Sequence, residues 1–375
     1  MSIVKILHCA DIHIGASESF LGAMAESRRK ETLLTFERIV DLAEKSEVDV
    51  LAIAGDLFDS NTIEKSFIDA VFNKIASIPN IKVIFAAGNH DPLNPQSPFI
   101  KYDTPENLFV LGINDSVVYF DSLNLKVYGR SFETVYLKGK ETFEKNVDDS
   151  TINLMVQHGE LKSDLNSKYN SITKNFITHS RMDYIALGHV HAKTEIGKLG
   201  DTYFAYCGCP EGQGFDELDI KGVYLGEIGK GVCNLEFIPI SKRCHIFENV
   251  DISGISADEI FECILKQLEN NYGEGFHNNL YKIELVGTCD FENGVDIADL
   301  TARLSDKVYF VKIKDNTTPA IDLETLSREQ SLRGIFVRQM LEKIKQADEA
   351  AAKKYKYALN LGLKAFSSEV KFDEN

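Results

Sequence analysis

Five apolar segments of the chain are each followed at once by side chains that can bind metal ions. The segments are KILHCA, VLAIAG, VIFAAG, NLMVQ and YIALG. The donors that follow them are, in chain order, Asp11 and His13, Asp56, Asn89 and His90, His158, and His189 and His191. Imidazole and carboxylate groups together suit manganese, iron or zinc, whereas magnesium and calcium prefer oxygen ligands alone. These residues therefore predict a site for manganese, iron or zinc.

The positions of the donors predict one shared crevice. Ligands of α/β sheets bind just beyond the carboxyl ends of the strands, where groups distant in sequence converge. Asp11 and His13 are two residues apart, as are His189 and His191, so each pair projects to one side of an extended chain. One metal ion would use about four of the donors, whereas two ions bridged by a carboxylate would use them all. A lone histidine after a strand is usually an ordinary surface or core residue, but five such strand ends together favour a dinuclear centre.

The first half of the chain alternates between strand-like and helical patterns. Strand-like runs such as IVKILH, DVLAIAG and KVIFAAG are separated by helical patterns over residues 28–45 and 64–76. This alternation is typical of βαβ units in a largely parallel sheet. Shorter strand-like runs continue toward residue 240 and end in a predicted hairpin, GVYLGEI and CNLEFIPI. The sequence predicts a mixed, layered α/β domain over residues 1–240.

Two further regions are predicted beyond residue 240. Residues 241–318 alternate as strand, helix, strand, helix and strand, which predicts a compact βαβαβ domain. Residues 319–375 have a helical pattern, and one face of it carries Leu332, Ile335, Phe336, Met340 and Ile344. Such a face either packs on its own protein or binds a partner, and the spacing of the apolar residues fits both.

The composition is that of a globular protein with two or three domains. The chain has 375 residues, of which 44% are hydrophobic. Its seven cysteines lack the spacing of a disulfide framework, which favours reduced thiols in the cytoplasm. The first residues have the pattern of a strand rather than a signal peptide, and no apolar segment approaches the roughly 18 residues that cross a bilayer.

The net charge of −16 opposes a nucleic-acid partner, since phosphate binding normally depends on a basic surface. Two features weaken this objection. Bound divalent cations would cancel part of the acidity, and the region 343–364 is locally basic through Lys343, Lys345, Lys353, Lys354 and Lys356. Composition therefore leaves the partner open.

The donor motifs resemble those of the calcineurin-like metallophosphoesterase superfamily. They are D-x-H at residues 11–13, GDLFD at 55–59, GNHD at 88–91, His158, and GHVH at 188–191. HCADIHIG at residues 8–15 and GCPEGQGFDELDIKGVYLGEI from Gly208 are similar, more narrowly, to the SbcD-type branch of DNA double-strand-break repair nucleases. The resemblance covers essentially the whole chain and weakens beyond residue 240. It implies mixed β-sheets flanked by helices, a small α+β capping domain and a C-terminal helical tail.

The resemblance also implies roles for single residues. Asp11, His13, Asp56 and His191 would hold one metal ion, and Asp56, Asn89, His158 and His189 would hold the other. Manganese is the usual activating ion of the branch, with iron and zinc as alternatives. His90 would be catalytic rather than a ligand. Asp59 would orient His90 and keep it protonated, although an aspartate at the start of a helix is commonly only a cap.

One departure from the branch lies beyond the last ligand. The branch usually has Gly-Ser before Pro-Glu, whereas this chain has Gly208 and Cys209. The change leaves the metal ligands intact and alters a local hydrogen-bonding group.

Three functions are consistent with these observations. The first is a metal-dependent phosphodiesterase acting on DNA ends, as an exonuclease or endonuclease, with an SbcC-type coiled-coil ATPase docked on the C-terminal helices. The sequence leaves open whether two chains pair into a homodimer. The second is hydrolysis of a small substrate, such as a cyclic nucleotide or a nucleotide pyrophosphate. The third is a scaffold for the ATPase with weak activity, against which the intact ligand set argues.

Overall fold

The chain forms two compact units, Met1–His245 and Ile246–Asn375. This computed structural model describes residues 2–138, 143, 147–218, 220–289, 294–319 and 323–366. Within those residues, no helix is both long enough and apolar enough to span a membrane. The division falls near the predicted end of the α/β domain. A further boundary near residue 318 stays a prediction.

The first unit contains fourteen of the described strands and four α-helices. Its strands are β1 (Ile3–Cys9), β2 (Val50–Ile53), β3 (Lys82–Phe85), β4 (Leu108–Val110), β5 (Ser116–Phe120), β6 (Leu125–Arg130), β7 (Ile152–His158), β8 (Glu160–Lys162), β9 (Ser171–Thr173), β10 (Tyr184–Gly188), β11 (Gly197–Leu199), β12 (Thr202–Tyr206), β13 (Gly222–Gly229) and β14 (Val232–Pro239). Its α-helices are α1 (Ala25–Lys45), α2 (Lys65–Ala76), α3 (Pro98–Lys101) and α4 (Lys174–His179), and short 3-10 helices lie at Ser19–Met24 and Asp121–Leu123.

Two six-stranded mixed sheets form the centre of this unit. The first has the order β14-β13-β1-β2-β3-β4, and the second has the order β11-β12-β10-β7-β6-β5. In the first sheet β1 to β4 are parallel, and β13 and β14 are antiparallel at one edge. In the second sheet the four middle strands are parallel, and the edge strands β11 and β5 are antiparallel to their neighbours. This confirms the predicted layered α/β fold and the predicted β13–β14 hairpin. The short strands β8, β9, β11 and β12 were absent from the sequence prediction, because three to five residues between turns give little periodic signal.

The unit has four layers, and apolar side chains fill the spaces between them. Phe36 of α1 and Phe72 of α2 pack on the outer face of the first sheet with Leu51 and Phe85. The facing surfaces of the two sheets meet through residues such as Val4, Ala52, Leu154 and Ala186. Ile177 of α4 covers the outer face of the second sheet with Tyr128 and Ile185. Because the central strands β1, β2, β3, β7 and β10 are buried on both faces, they consist of nearly continuous apolar runs. Edge strands such as β5 and β14 are partly exposed.

The second unit begins with a three-stranded sheet. Its described elements are β15 (His245–Asp251), α5 (Ile260–Tyr272), β16 (Leu280–Val286), β17 (Thr288–Cys289), α6 (Ile297–Ser305), β18 (Phe310–Asp315), β19 (Thr318–Pro319), α7 (Leu323–Arg328), α8 (Leu332–Gln346) and α9 (Glu349–Phe366), with 3-10 helices at Ala257–Glu259 and Gly273–Asn278. The sheet order is β15-β16-β18, with β16 and β18 parallel. Leu268 of α5 and Leu304 of α6 pack on it with Tyr281 and Ile283. The predicted strand–helix alternation is therefore present.

The three C-terminal helices pack on one another. Val337 and Met340 of α8 form a small core with Leu359 and Leu363 of α9 and Leu326 of α7. The apolar stripe of α8 divides, since Leu332 is 79% exposed and Ile335 is 43% exposed. Part of the stripe thus packs within this chain, and part of it lies open on the described surface. The last predicted residues, 367–375, lie outside the described part.

Candidate metal centre

All nine residues predicted to form the site lie just beyond, or at, the ends of five parallel strands. Asp11 and His13 follow β1, Asp56 and Asp59 follow β2, and Asn89 and His90 follow β3 in the first sheet; His158 ends β7, and His189 and His191 follow β10 in the second sheet. The two sheets meet at this point, because the backbone N of His189 donates to both carboxylate oxygens of Asp11 at 3.0 Å. The crevice predicted from strand ends is thus formed by two sheets rather than by one.

Four of these residues have backbone angles that are rare outside glycine. The φ angles are 52° at Asp11, 50° at His13, 50° at Asp56 and 100° at His189. Such a conformation costs roughly 1–3 kcal/mol at a residue with a side chain, and it persists where surrounding contacts require it. Strain of this kind clusters at functional sites, and here it coincides with the predicted ligands.

Glycines that precede predicted ligands allow the strand ends to approach closely. A Cβ atom on Gly88 would lie 2.2 Å from Asp56 Oδ1. A Cβ atom on Gly55, whose φ is +94°, would lie 2.3 Å from His158 Nδ1. Any larger residue at either position would separate the donors.

The donors form two groups that share Asp56. The first donor group is Asp11, His13 and His191, in which His13 Nε2 lies 3.2 Å from His191 Nε2. The second donor group is Asn89, His158 and His189, in which Asn89 Oδ1 lies 3.0 Å from both His158 Nε2 and His189 Nδ1.

Asp56 lies between these groups. Its Oδ2 atom is 3.8 Å from His13 Nε2 and 3.3 Å from His158 Nε2. One carboxylate therefore borders both groups, which is the position required of a bridging ligand.

The donor chemistry fits bound cations. Two imidazole nitrogens that meet at 3.2 Å can satisfy each other only if one of them carries a proton. A cation between them would instead accept both lone pairs, and the neighbouring carboxylates would balance its charge. The residues present therefore fit a pair of divalent metal ions.

Asp56 keeps its negative charge in a buried position. Burial raises the pKa of this carboxyl group, but the imidazoles of His158, His13 and His90 together outweigh burial and bring the pKa below its ordinary value. Burial in turn lowers the pKa of His158, and the Asp56 and Asp11 carboxylates with the Ala54 carbonyl together outweigh that effect and raise it. Since metal ligands of this type must be deprotonated carboxylates, Asp56 is available for coordination.

His90 differs from the predicted ligands. Its side chain is 44% exposed, and its backbone N donates to Asp56 Oδ1 at 2.8 Å. The imidazole Nδ1 lies 3.1 Å from the backbone oxygen of Asp59 and 3.5 Å from Asp59 Oδ1. Hydrogen bonding to Asp59 raises the pKa of His90 to about 9. The structure places His90 at the open side of the crevice, beside the donors.

Asp59 contacts two histidines. Besides its contact with His90, Asp59 Oδ1 lies 3.2 Å from His13 Nδ1. The contact with His13 was missed in the sequence prediction. The alternative role as a helix cap does not hold, because α2 begins at Lys65 and its N-cap residue is Glu64. Asp59 thus links the predicted ligand His13 to the predicted catalytic histidine.

Asp91 joins the loops that carry Asp56 and Asn89. One carboxylate oxygen accepts from Leu57 N at 2.7 Å and from Phe58 N at 3.1 Å, and the other accepts from Gly88 N at 2.8 Å. Burial raises the pKa of this carboxyl group to about 6. From the sequence, Asp91 could either cap the turn or hold Asn89 or His90 in position, because its backbone partners cannot be identified from sequence.

Two glutamates near the centre were not predicted. Glu217 accepts a hydrogen bond from His191 Nδ1, and Glu160 Oε1 lies 3.6 Å from His189 Nε2. Burial raises the pKa of Glu217, but the neighbouring His191, the Gln213 amide and the Cys209 thiol together outweigh burial and lower it to about 2. The only signal for Glu217 was its place in the segment from Gly208 that carries the resemblance.

The fold and the donor set define a class of protein. The chain belongs to the calcineurin-like phosphoesterase family, whose sequence profile matches residues 4–193. Members of this family are hydrolases that bind divalent metal ions, and the candidate donors all lie within the matched region.

Relatives within this class include repair proteins and nucleases at modest identity. The chain is 23% identical over 368 residues to the DNA double-strand break repair protein Mre11 of Saccharolobus solfataricus, with 93% of each chain covered. It is 26% identical over 317 residues to the SbcD component of the nuclease SbcCD of Staphylococcus epidermidis, with 76% of this chain and 80% of that protein covered.

A further relative is the uncharacterized metallophosphoesterase YhaO of Bacillus subtilis. The two are 26% identical over 245 residues, which covers 62% of this chain and 60% of that protein. The chain thus spans less than two thirds of the length of this relative.

Proposed function

We propose that this protein is a metal-dependent nuclease that hydrolyses phosphodiester bonds at DNA ends during double-strand-break repair. The observation that carries the proposal is the pair of donor groups sharing Asp56, which suits a dinuclear phosphodiesterase. Support for DNA as the substrate comes from the relatives named as a repair protein and a nuclease, of which one matches over 93% of this chain.

The donors would divide between two ions. The first donor group with Asp56 would hold one ion, and the second donor group with Asp56 would hold the other. The mixture of imidazole, carboxylate and amide ligands favours manganese, with iron and zinc as alternatives. Bound cations would polarise the phosphate and a water molecule for attack.

His90 is the proposed catalytic residue. Its exposed imidazole lies outside both donor groups and is held by Asp59. A protonated imidazole there would donate a proton to the departing sugar oxygen. Asp59 would keep His90 protonated and in position.

The second unit would have two tasks. Its three-stranded sheet with α5 and α6 would serve as a DNA-capping domain, which is the role that the family resemblance implies. The helices α8 and α9 would dock on an SbcC-type coiled-coil ATPase through the exposed part of the α8 stripe, where Leu332 is 79% exposed. We place the complex in the cytoplasm, in keeping with the seven cysteines and their lack of a disulfide framework.

One observation favours a second candidate. The net charge of −16 suits a small substrate, such as a cyclic nucleotide or a nucleotide pyrophosphate, better than a long polyanion. The same site would then act without the ATPase.

The His90→Ala variant tests the nuclease proposal. We expect the wild-type chain with Mn²⁺ to degrade an end-labelled DNA duplex, and we expect His90→Ala to reduce the rate by about 10²–10⁴-fold because proton donation is lost. Metal content, measured by elemental analysis, should stay near that of the wild type. His179→Ala is the matched control, since His179 is an exposed histidine at the end of α4.

Other outcomes separate the alternatives. Turnover of a cyclic nucleotide without DNA cleavage would support the small-substrate candidate. A wild-type chain that binds no Mn²⁺ would leave only the scaffold role. Loss of metal from His90→Ala would show that His90 is a ligand.

A further inference from the structure

The segment 208–218 packs against the backbone of His191, the last residue of the first donor group. Cys209 N donates to His191 O at 3.2 Å, and Lys221 Nζ donates to the same oxygen at 3.2 Å. Gly208, with a φ of +76°, lies so close that a Cβ atom on it would be 2.7 Å from His191 O. The peptide of His191 is therefore held from one side by this segment and Lys221.

The imidazole of His191 is held as well. Its Nε2 atom faces His13 Nε2 at 3.2 Å, and its Nδ1 atom is hydrogen-bonded to Glu217 Oε1. Because a carboxylate only accepts hydrogen bonds, Nδ1 carries the hydrogen, and Nε2 keeps its lone pair directed at the centre. This is the tautomer that a metal ligand needs.

Glu217 is itself fixed by the same segment. Its second oxygen, Oε2, accepts from Gln213 N at 2.8 Å and lies 3.5 Å from the Cys209 thiol. Cys209 is fully buried, and the Glu217 side chain is 15% exposed. Glu217 cannot turn toward solvent without giving up these contacts, so its position relative to His191 is well defined.

The two donor groups differ in what holds their histidines. In the first donor group, His13 and His191 both have carboxylate partners within hydrogen-bonding distance, Asp59 and Glu217. In the second donor group, His158 Nδ1 is held by a backbone carbonyl, that of Ala54, at 2.9 Å. A carboxylate partner increases the electron density on the metal-facing nitrogen more than a neutral carbonyl does.

We propose that Glu217 is a positioning residue that strengthens metal binding at the first donor group and not at the second. The inference depends on the dinuclear centre of the proposed function. Partners of this kind fix the orientation and tautomer of a ligand, and their loss typically weakens metal binding by about 10–100-fold. Glu217 lies in the segment 208–218, which carries part of the family resemblance but contains none of the proposed ligands.

Calorimetric titration of the metal-stripped full chain with Mn²⁺ tests this inference. We expect two sites in the wild type. In Glu217→Ala, one site should weaken by about 10–100-fold and the other should stay within about twofold of the wild type. The affinity of the weakened site in Glu217→Gln should lie between those of Glu217→Ala and the wild type, because the amide oxygen still accepts the His191 hydrogen but carries no charge. Glu236→Gln is the matched control, since Glu236 is exposed on the edge strand β14.

The melting temperature of each metal-free variant shows whether the change is local. An unchanged melting temperature with one weakened site supports the positioning role. Two Mn²⁺ sites of wild-type affinity in Glu217→Ala, or equal weakening of both sites, would overturn it while leaving the dinuclear centre intact. If Glu217→Ala has a lower melting temperature than the wild type, the two Mn²⁺ affinities of Glu217→Gln are compared with those of the wild type instead. A wild-type chain that binds fewer than two ions would remove the proposed function and the inference together.

Discussion

Each of the four histidines in the donor groups has one nitrogen directed at the centre and the other facing a group outside it. The outer neighbours are Asp59 for His13, the Ala54 carbonyl for His158, Glu160 for His189, and Glu217 for His191. Three of these contacts are within hydrogen-bonding distance, while Glu160 stands 3.6 Å away. At the scale of single residues, the centre is therefore a set of oriented imidazoles rather than a collection of free side chains.

Asp59→Asn tests the link between Asp59 and His90 through the pH dependence of DNA cleavage. Hydrogen bonding to Asp59 raises the pKa of His90 to about 9, so His90 stays protonated up to that pH. As a proton donor, it should lose activity when the pH rises through its pKa. Removing the negative charge of Asp59 lowers that pKa. The alkaline fall in the cleavage rate should therefore begin at a lower pH in the variant.

The rate profile should be measured with saturating Mn²⁺, because Asp59 also contacts His13. The control Glu236→Gln removes an exposed carboxylate and should keep the wild-type profile. An unchanged alkaline limb in Asp59→Asn would contradict the proposal that Asp59 keeps a proton-donating His90 protonated.

At the scale of elements, short loops at strand ends bring the donors together. Gly88 allows the loop after β3 to approach Asp56, and Asp91 binds the backbone of both loops through three hydrogen bonds. Of the polar stretch at residues 88–91, two residues therefore shape the turn, Asn89 belongs to a donor group, and His90 faces the opening. The strands themselves contribute buried apolar surface that holds the loops in place.

His8 of β1 makes the stability of the first unit sensitive to acid. Its imidazole is buried between the sheets, where Nδ1 contacts the Tyr184 hydroxyl at 2.9 Å and Nε2 contacts Leu187 O at 3.1 Å. Burial lowers the pKa of His8 to about 3. The unfolded chain binds a proton at His8 below about pH 6.5, and the folded chain does not, so folding loses stability as the pH falls from there toward 3.

We expect this residue alone to remove about 2 kcal/mol of the free energy of unfolding between pH 7 and pH 5. The His8→Gln variant should lack that contribution, so its stability should fall less over the same interval. Urea unfolding with a chelator present measures the free energy of unfolding of the wild type and of His8→Gln at each pH. His179→Gln provides an exposed control. Equal pH dependence in His8→Gln and the wild type would contradict the prediction.

At the scale of the whole molecule, the candidate centre lies entirely within the first unit. The last predicted site residue is His191, and the first unit extends to His245. The second unit has its own core, in which the C-terminal helices pack on one another through residues such as Val337 and Leu359. Hydrolysis and partner binding are thus expected to reside in different parts of the chain.

Deletion of the residues after Pro319 tests this separation. Mn²⁺ binding and hydrolysis of a small phosphodiester such as bis-nitrophenyl phosphate should stay near wild-type levels, because no donor is removed. Binding to the ATPase partner, measured by co-purification, should be lost. The double variant Leu332→Ser and Ile335→Ser tests partner binding without removing the helices, since both side chains are exposed. Loss of hydrolysis on deletion would show that the helices support the first unit.

Much of the fold could be predicted from the sequence because its signals are local. The alternating patterns correspond to β1, α1, β2, α2 and β3, and α1 begins at Ala25, three residues before the predicted start. The small sheet of the second unit with α5 and α6 was likewise visible in apolar periodicity. The short strands β11 and β12 were not, since β12 depends on pairing with β10, and β11 on pairing with β12, rather than on their own residues.

The sequence by itself determined which residues could bind metal ions, because imidazole and carboxylate groups that follow apolar strands can be recognised from the order of the residues. The family resemblance implied their division into two groups around Asp56. The tertiary structure alone brought Asp59 to His13, Asp91 to three backbone amides and Glu217 to His191. Hydrogen bonds between segments distant in sequence leave no periodic trace. They arise only when two buried sheets bring their strand ends into one crevice.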